Sequence, residues 1–129
     1  MKFFFDNNLA VRIARSLEAL VSPEHQVTHW KDQFAAGSDD SVLMAQLGQQ
    51  EPWVIITADP RIGQNPHEIE AWKQAGHTVF FLKPRWLNLT FWKQTQTLVE
   101  CFPEIIRHSE RADRGSAFFV SVGGKISRA

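Results

Sequence analysis

An α/β fold with a mainly parallel central sheet and helices on both faces is the class this sequence predicts. Three observations carry the expectation. Apolar runs of strand length occur at Phe3-Phe4-Phe5, Trp53-Val54-Ile55-Ile56 and Thr78-Val79-Phe80-Phe81-Leu82. Segments with helical spacing of apolar residues lie between them, and the connections exceed ten residues, as parallel pairing requires. At 129 residues the expected organisation is one domain over 1–129, large enough for a core without disulfide staples.

Residues 2 to 6 read as the first strand. Leu9, Ile13, Leu17 and Leu20 then recur at helical spacing, with Asn7 or Asn8 placed as cap and Pro23 as stop. Alternation over 25 to 30 suggests a second strand at an edge. Gly37-Ser38-Asp39-Asp40 precedes Val42, Leu43, Ala45 and Leu47, so Ser38 or Asp39 is the natural N-cap of a helix ending near Gly48. Residues 53 to 59 form the third strand. Pro66 to Ala75 reads as a helix with Ile69 and Trp72 inward and Gly76 as its stop, followed by a strand over Thr78 to Leu82. Phe91, Leu98, Phe102 and Ile105 share a face of a helix expected from about Trp86 to His108, with Pro103 a place where it could break. Residues 109 to 116 read as a loop. Ala117 to Val122, Gly123-Gly124 and Lys125-Ile126-Ser127 then suggest a strand and a tight hairpin appended to the sheet.

Composition narrows the function classes. Lys plus Arg and Asp plus Glu both number 14, so a polyanionic partner would have to be met by a local patch. The single Cys101 excludes an internal disulfide, and the opening residues lack the apolar core of a secretory signal, so a reducing cytoplasm is expected. No apolar stretch approaches the ~20 residues that span a bilayer, which argues against a membrane partner. Neither a GxGxxG turn nor a GxxxxGK loop is present, against dinucleotide or nucleoside-triphosphate binding of the usual kinds.

The chemistry-bearing pattern is a set of acids. Asp6 ends the first strand, Asp39 opens a helix 33 residues later, and Asp59 ends the third strand another 20 on. In open α/β sheets ligands bind outside the carboxyl ends of the strands, where these three can converge. Gathered carboxylates repel one another and raise each other's pKa unless a cation joins them, and hard oxygen ligands favour magnesium or manganese. A cation so held can activate water and neutralise charge on a phosphodiester. Each acid also has a purely structural explanation: Asp39 and Asp40 can cap a helix and complement its dipole, and Asp59 before Pro60 can open a turn. Asn8 could orient a phosphate or cap the helix. Arg61 could hold a phosphate by a bidentate contact or stand idle in a loop, and Arg12, Arg15 and Lys83 could extend a basic rim.

Met1-Lys2-Phe3-Phe4-Phe5-Asp6-Asn7-Asn8-Leu9, Gly37-Ser38-Asp39-Asp40-Ser41-Val42-Leu43 and Val54-Ile55-Ile56-Thr57-Ala58-Asp59-Pro60-Arg61-Ile62 together resemble the compact PIN-like family of VapC-type toxins. Pro66-His67-Glu68, residues 75 to 82 and residues 119 to 126 are similar too. The resemblance implies a three-layer α/β/α PIN-like fold, a magnesium- or manganese-dependent endoribonuclease acting on RNA, and a cognate antitoxin protein that blocks the site. Carried over by position, Asp6, Asp39 and Asp59 match the family's metal-binding acids, with Asp40 as their neighbour. The chain departs from the family's pattern at Asn7, where many relatives carry an acid, and a fourth acid has no assigned position, Glu68 being a candidate. A degenerate PIN-like module that binds RNA or protein without cutting is therefore the alternative.

Other signals carry less. On a strand His25 and His29 stand about 13 Å apart, too far to share an ion. Cys101 beside Phe102 reads as buried filler rather than a nucleophile. A receiver-type phosphoacceptor also places acids after its first and third strands and ends a strand in Lys-Pro, as Lys83-Pro84 does. Here Lys83 follows Asp59 by one strand-helix unit, where receivers use two. Trp86 and Trp92 could serve an antitoxin or homodimer contact, or pack in the core.

Overall fold

A computed structural model describes residues 1–33, 52–59 and 66–129, with Glu68 and Ile69 described in backbone alone. The described strands are β1 (Lys2–Phe5), β2 (Gln26–His29), β3 (Val54–Thr57), β4 (Thr78–Leu82), β5 (Ala117–Val120) and β6 (Ile126–Arg128). They join one sheet in the order β2-β1-β3-β4-β5-β6. Every pairing is parallel except that of β6, which returns antiparallel to β5 through the Gly123-Gly124 turn. The described helices are α1 (Val11–Val21), α2 (Trp30–Gln33), α3 (Pro66–Gln74) and α4 (Phe91–Arg111).

The strands are apolar on both sides because both faces are covered. On one face Phe3, Phe5, Ile56, Phe80, Phe118 and Val120 pack against Ile13, Ala14 and Leu17 of α1 and Leu98, Phe102 and Ile105 of α4. Phe102 lies 5.0 Å from Phe3 and 6.4 Å from Phe5 between ring centroids. Each such side chain, fully buried, contributes about 1.5–3 kcal/mol. On the opposite face Phe4, Ile55, Val79 and Phe81 meet Trp30, Trp53 and Trp72, the last from α3. The expected α/β class and the three-layer arrangement are both present.

Several elements differ from the expectation for definite reasons. Neither Asn7 nor Asn8 caps α1; its N-cap is Ala10, which makes no side-chain bond. Leu20 is 64% exposed, because α1 turns its Ile13–Leu17 stripe inward and the half-buried Val21 continues it. Trp30 leaves β2 and starts α2, whose Asp32 accepts from the His29 N–H at 3.0 Å. Trp86 does not begin the long helix. It sits in a 3-10 turn over Pro84–Asn88, 1% exposed, and donates its indole N–H to the Val120 carbonyl at 3.0 Å. The helix instead starts after Thr90, whose hydroxyl accepts from the Lys93 N–H, and runs to Arg111, beyond the expected His108 and into the expected loop. Pro103 does not break it. Pro103 lies on the exposed side, as does Val99 one turn earlier, so the proline ring and its missing N–H fall away from the core. β5 is no appendage: Phe118 and Val120 are 7% and 0% exposed within the larger core. α3 stops as expected at Gly76, whose φ of 76° and bond to the Lys73 carbonyl form a left-handed cap. The helix expected from Ser38 to Gly48 lies outside the described residues. Among the described residues no helix is long and apolar enough to cross a membrane.

Candidate functional site

The strand order reverses at β1. The chain moves outward to β2, then crosses back to β3 on the other side, so the crevice above the carboxyl ends of β1 and β3 is the topological switch point of the sheet. Asp6 and Asp59 flank that crevice. Phe5 is in register with Ile56, and the Asp6 N–H extends the ladder by one bond to the Ile56 carbonyl at 3.0 Å. Asp6 therefore stands beside Thr57, and Asp59 lies two residues beyond the end of β3.

Thr57, fully buried, ties the two acids together. Its hydroxyl donates to Asp6 Oδ2 at 2.7 Å and accepts from the Asp59 N–H at 3.0 Å. Asp6 Oδ1 accepts from the Asn7 N–H at 2.7 Å. Asp6 is 7% exposed, and burial is the largest influence on it, raising its pKa above the ordinary 3.8. The Thr57 and Asn7 hydrogen bonds oppose that rise, the Asp59 carboxylate adds to it, and His29 counters slightly. A buried carboxylate with oxygen lone pairs to spare, beside a second carboxylate that raises its cost of ionisation, suits a divalent cation, which needs only one or two protein carboxylates when water and phosphate complete its shell.

Asn8 turns towards the site rather than the helix: its side-chain oxygen accepts from the Ala58 N–H at 3.4 Å. His29 is fully buried beside the crevice. Its Nδ1 accepts from the Lys31 N–H at 3.1 Å, so its Nε2 carries the proton and donates to the Leu9 carbonyl at 2.6 Å. The tautomer thus fixed holds the Asp6–Leu9 turn against β2. His25 sits apart, edge-on to Phe3 at 5.8 Å, so the two histidines share no ion. Thr57 and His29 were legible only as strand residues. The signal that could have exposed Thr57 is a hydroxyl inside a fully buried run, which must find a partner.

Asp39, Asp40 and Arg61 lie outside the described residues, as does the Glu68 side chain. Among the described residues no three His, Cys, Asp or Glu side chains gather into a metal-holding group, so what the crevice shows is the Asp6–Asp59 pair. The basic rim separates into parts. Arg12 stacks over Phe91 at 4.2 Å and Arg15 pairs with Asp32. Lys83 is exposed, lies 5.8 Å from the Phe119 ring, and borders the same cavity as Asp59. Cys101 is buried, and burial pushes its thiol up to about 11, as expected of filler. Of the two tryptophans, Trp86 is core and Trp92 is 79% exposed.

A doubly wound α/β sheet with paired acids at its switch point defines a class of ligand-binding proteins, receivers among them, because the order 2-1-3-4-5 is common to several families. The family comparison decides between them. The family model described as a PIN like domain matches residues 1–84, and the chain belongs to that family. The match takes in β1 to β4 and both strand ends that carry the acids; α4, β5 and β6 follow it in sequence and complete the same sheet. No curated protein and no solved structure matches the chain.

Proposed function

We propose that this chain is a metal-dependent endoribonuclease that hydrolyses RNA phosphodiesters, acting as the toxin of a type II toxin–antitoxin pair in the cytoplasm. The observation that supports it most is the Asp6–Thr57–Asp59 arrangement at the switch point of a PIN-like sheet. Asp6 and Asp59 are the proposed ligands of magnesium or manganese, joined by Asp39 and Asp40 from the segment between β2 and β3. A divalent cation there supplies Lewis-acid neutralisation of the charge that builds on a phosphodiester and makes water a better nucleophile.

The chain's own groups have separable tasks. The Thr57 hydroxyl and the Asn7 N–H each occupy one lone pair of Asp6 and fix the plane of its carboxylate, leaving the remaining lone pairs directed elsewhere. Asn8, its oxygen engaged by Ala58, keeps its amide N–H groups to orient a phosphate oxygen. Arg61, two residues past Asp59, is the proposed clamp on the scissile phosphate. Digestion of single-stranded RNA with magnesium, and its loss in chelator and in folded Asp6→Asn protein, is the expected result. Inhibition by the product of the adjacent reading frame tests the toxin assignment.

A second reading, a PIN-like module that binds RNA or protein without cutting, draws on the zero net charge of the chain and on the fourth acid that has no assigned position in the sequence. RNA binding without cleavage in any divalent metal would establish it in place of the enzyme.

A further inference from the structure

We infer that the cavity along β4 and β5, running from the acid pair to the part-exposed Phe119, is a binding subsite for single-stranded nucleic acid, with an unstacked base seated against Phe119. The inference extends the nuclease reading and rests on it for the direction in which the strand leaves the acids. Its basis is register. Thr57 is paired with Phe81 and Phe81 with Phe119, and Asp6 stands beside Thr57, so four side chains form a row across four strands on one face. At ~4.8 Å between strands, Phe119 lies about 14 Å from Asp6 along that row.

The row ends in a cavity of about 780 Å³, inside the roughly 300–1,000 Å³ range of ligand clefts. Its floor is aromatic: Phe81 and Phe119 lie 6.0 Å apart between centroids. Phe119 is 40% exposed, whereas its neighbours Phe118 and Val120, pointing to the other face, are buried under α4. Among the described residues α3 covers this face only as far as Trp72. Charge identifies the occupant. Lys73, Lys83 and Arg114 stand around the cavity, with Asp59 at its end nearest the switch point. Lys83 lies over Phe119 itself. A part-exposed aromatic ring beside cations that can track a phosphate backbone is the combination by which proteins hold single strands without regard to sequence. A neutral peptide would find an apolar floor here but would leave the cations without a counter-charge.

The test is catalysis-independent. A fluorescein-labelled 2′-O-methyl octanucleotide of mixed sequence, which resists hydrolysis, is titrated with the full chain in chelator and followed by anisotropy. Phe119→Leu, which keeps an apolar side chain and removes the ring, should weaken binding about tenfold. Lys83→Gln should reduce the slope of log affinity against log salt by about 0.7. The same oligonucleotide annealed to its complement should bind more weakly than the single strand. Absence of binding, equal affinity of folded Phe119→Leu protein, or preference for the duplex would each overturn the subsite. RNA cleavage that persists with no dependence of binding on Phe119 removes the subsite alone. Binding through Phe119 in a protein that never cuts removes the nuclease reading and leaves the subsite standing.

Discussion

Replacing Thr57 by valine isolates the hydroxyl that joins the two acids, since the shapes match and the side chain is fully buried. Two bonds go: the donation to Asp6 Oδ2 at 2.7 Å and the acceptance from the Asp59 N–H at 3.0 Å. The first is a bond to a group that ionises, worth about 1.5–3 kcal/mol. The second adds little, because Asp59 is part-exposed and its N–H can reach water. The expected loss is about 2 kcal/mol with Asp6 ionised. For 129 residues, at ~2.1 cal/mol/K of unfolding entropy per residue, that lowers Tm by about 7 °C. The loss must also depend on pH. The hydroxyl bond lowers the Asp6 pKa, so its removal raises that pKa further and penalises the ionised form. Destabilisation should be largest above the folded pKa of Asp6 and shrink as pH falls towards 3.8 and below. Urea unfolding across that pH series is the assay. A loss under about 0.5 kcal/mol, or one that is the same at every pH, would show that the hydroxyl does not hold the carboxylate.

Three further outcomes follow from separate parts of the structure. Asp6→Asn should stabilise the protein at neutral pH in chelator. Because the folded pKa of Asp6 is raised, wild type keeps its full stability below 3.8 and loses part of it as pH rises through the folded value; thermal melts of the two proteins should therefore converge at acid pH. Gly124→Ala should cost about 2 kcal/mol in chemical denaturation, because Gly124 has φ +83° and an added Cβ would meet the Cβ of buried Cys101 at 3.1 Å. Cys101, buried and with its pKa at about 11, should react with a thiol reagent at pH 8 only as fast as the protein opens, and at once in denaturant.

The fold was legible where one physical signal dominated. The runs ending at Phe5, Thr57 and Leu82 are apolar because both faces are covered, and a strand buried on both sides has no helical reading at that length. Boundaries decided by competition between local groups were not. Asn8 is a good cap by residue type, yet its oxygen goes to Ala58, just past the end of β3 and 50 residues away, a partner that no local rule supplies. Trp86 continues a plausible helical face, but its indole N–H reaches Val120 from β5, and that bond favours a separate 3-10 turn. The aspartates at the strand ends were readable because an acid closing an apolar run is conspicuous. Thr57, their connector, and the Phe81–Phe119 row depend on register between strands, which pairs residues far apart in the chain.

Asp6 is a poor choice for folding alone. It is 7% exposed, burial is the main influence on its ionisation, and a second carboxylate follows the neighbouring strand. Thr57 and Asn7 offset part of that cost without removing it. Local cost of this kind is tolerated where a site needs it, and a cation is the group that would cancel both the desolvation of Asp6 and its repulsion from Asp59. Binding and stability must then be linked. A ligand that binds the folded state alone adds about 2.7 kcal/mol at a hundred times its Kd, which for 129 residues at the same per-residue entropy raises Tm by about 10 °C. Under the proposed role, magnesium or manganese should stabilise wild type on that scale and have a much smaller effect on Asp6→Asn, which starts more stable and lacks the charge. If the two proteins rise equally with metal, the ion binds elsewhere, and the strain at Asp6 has no part in holding it.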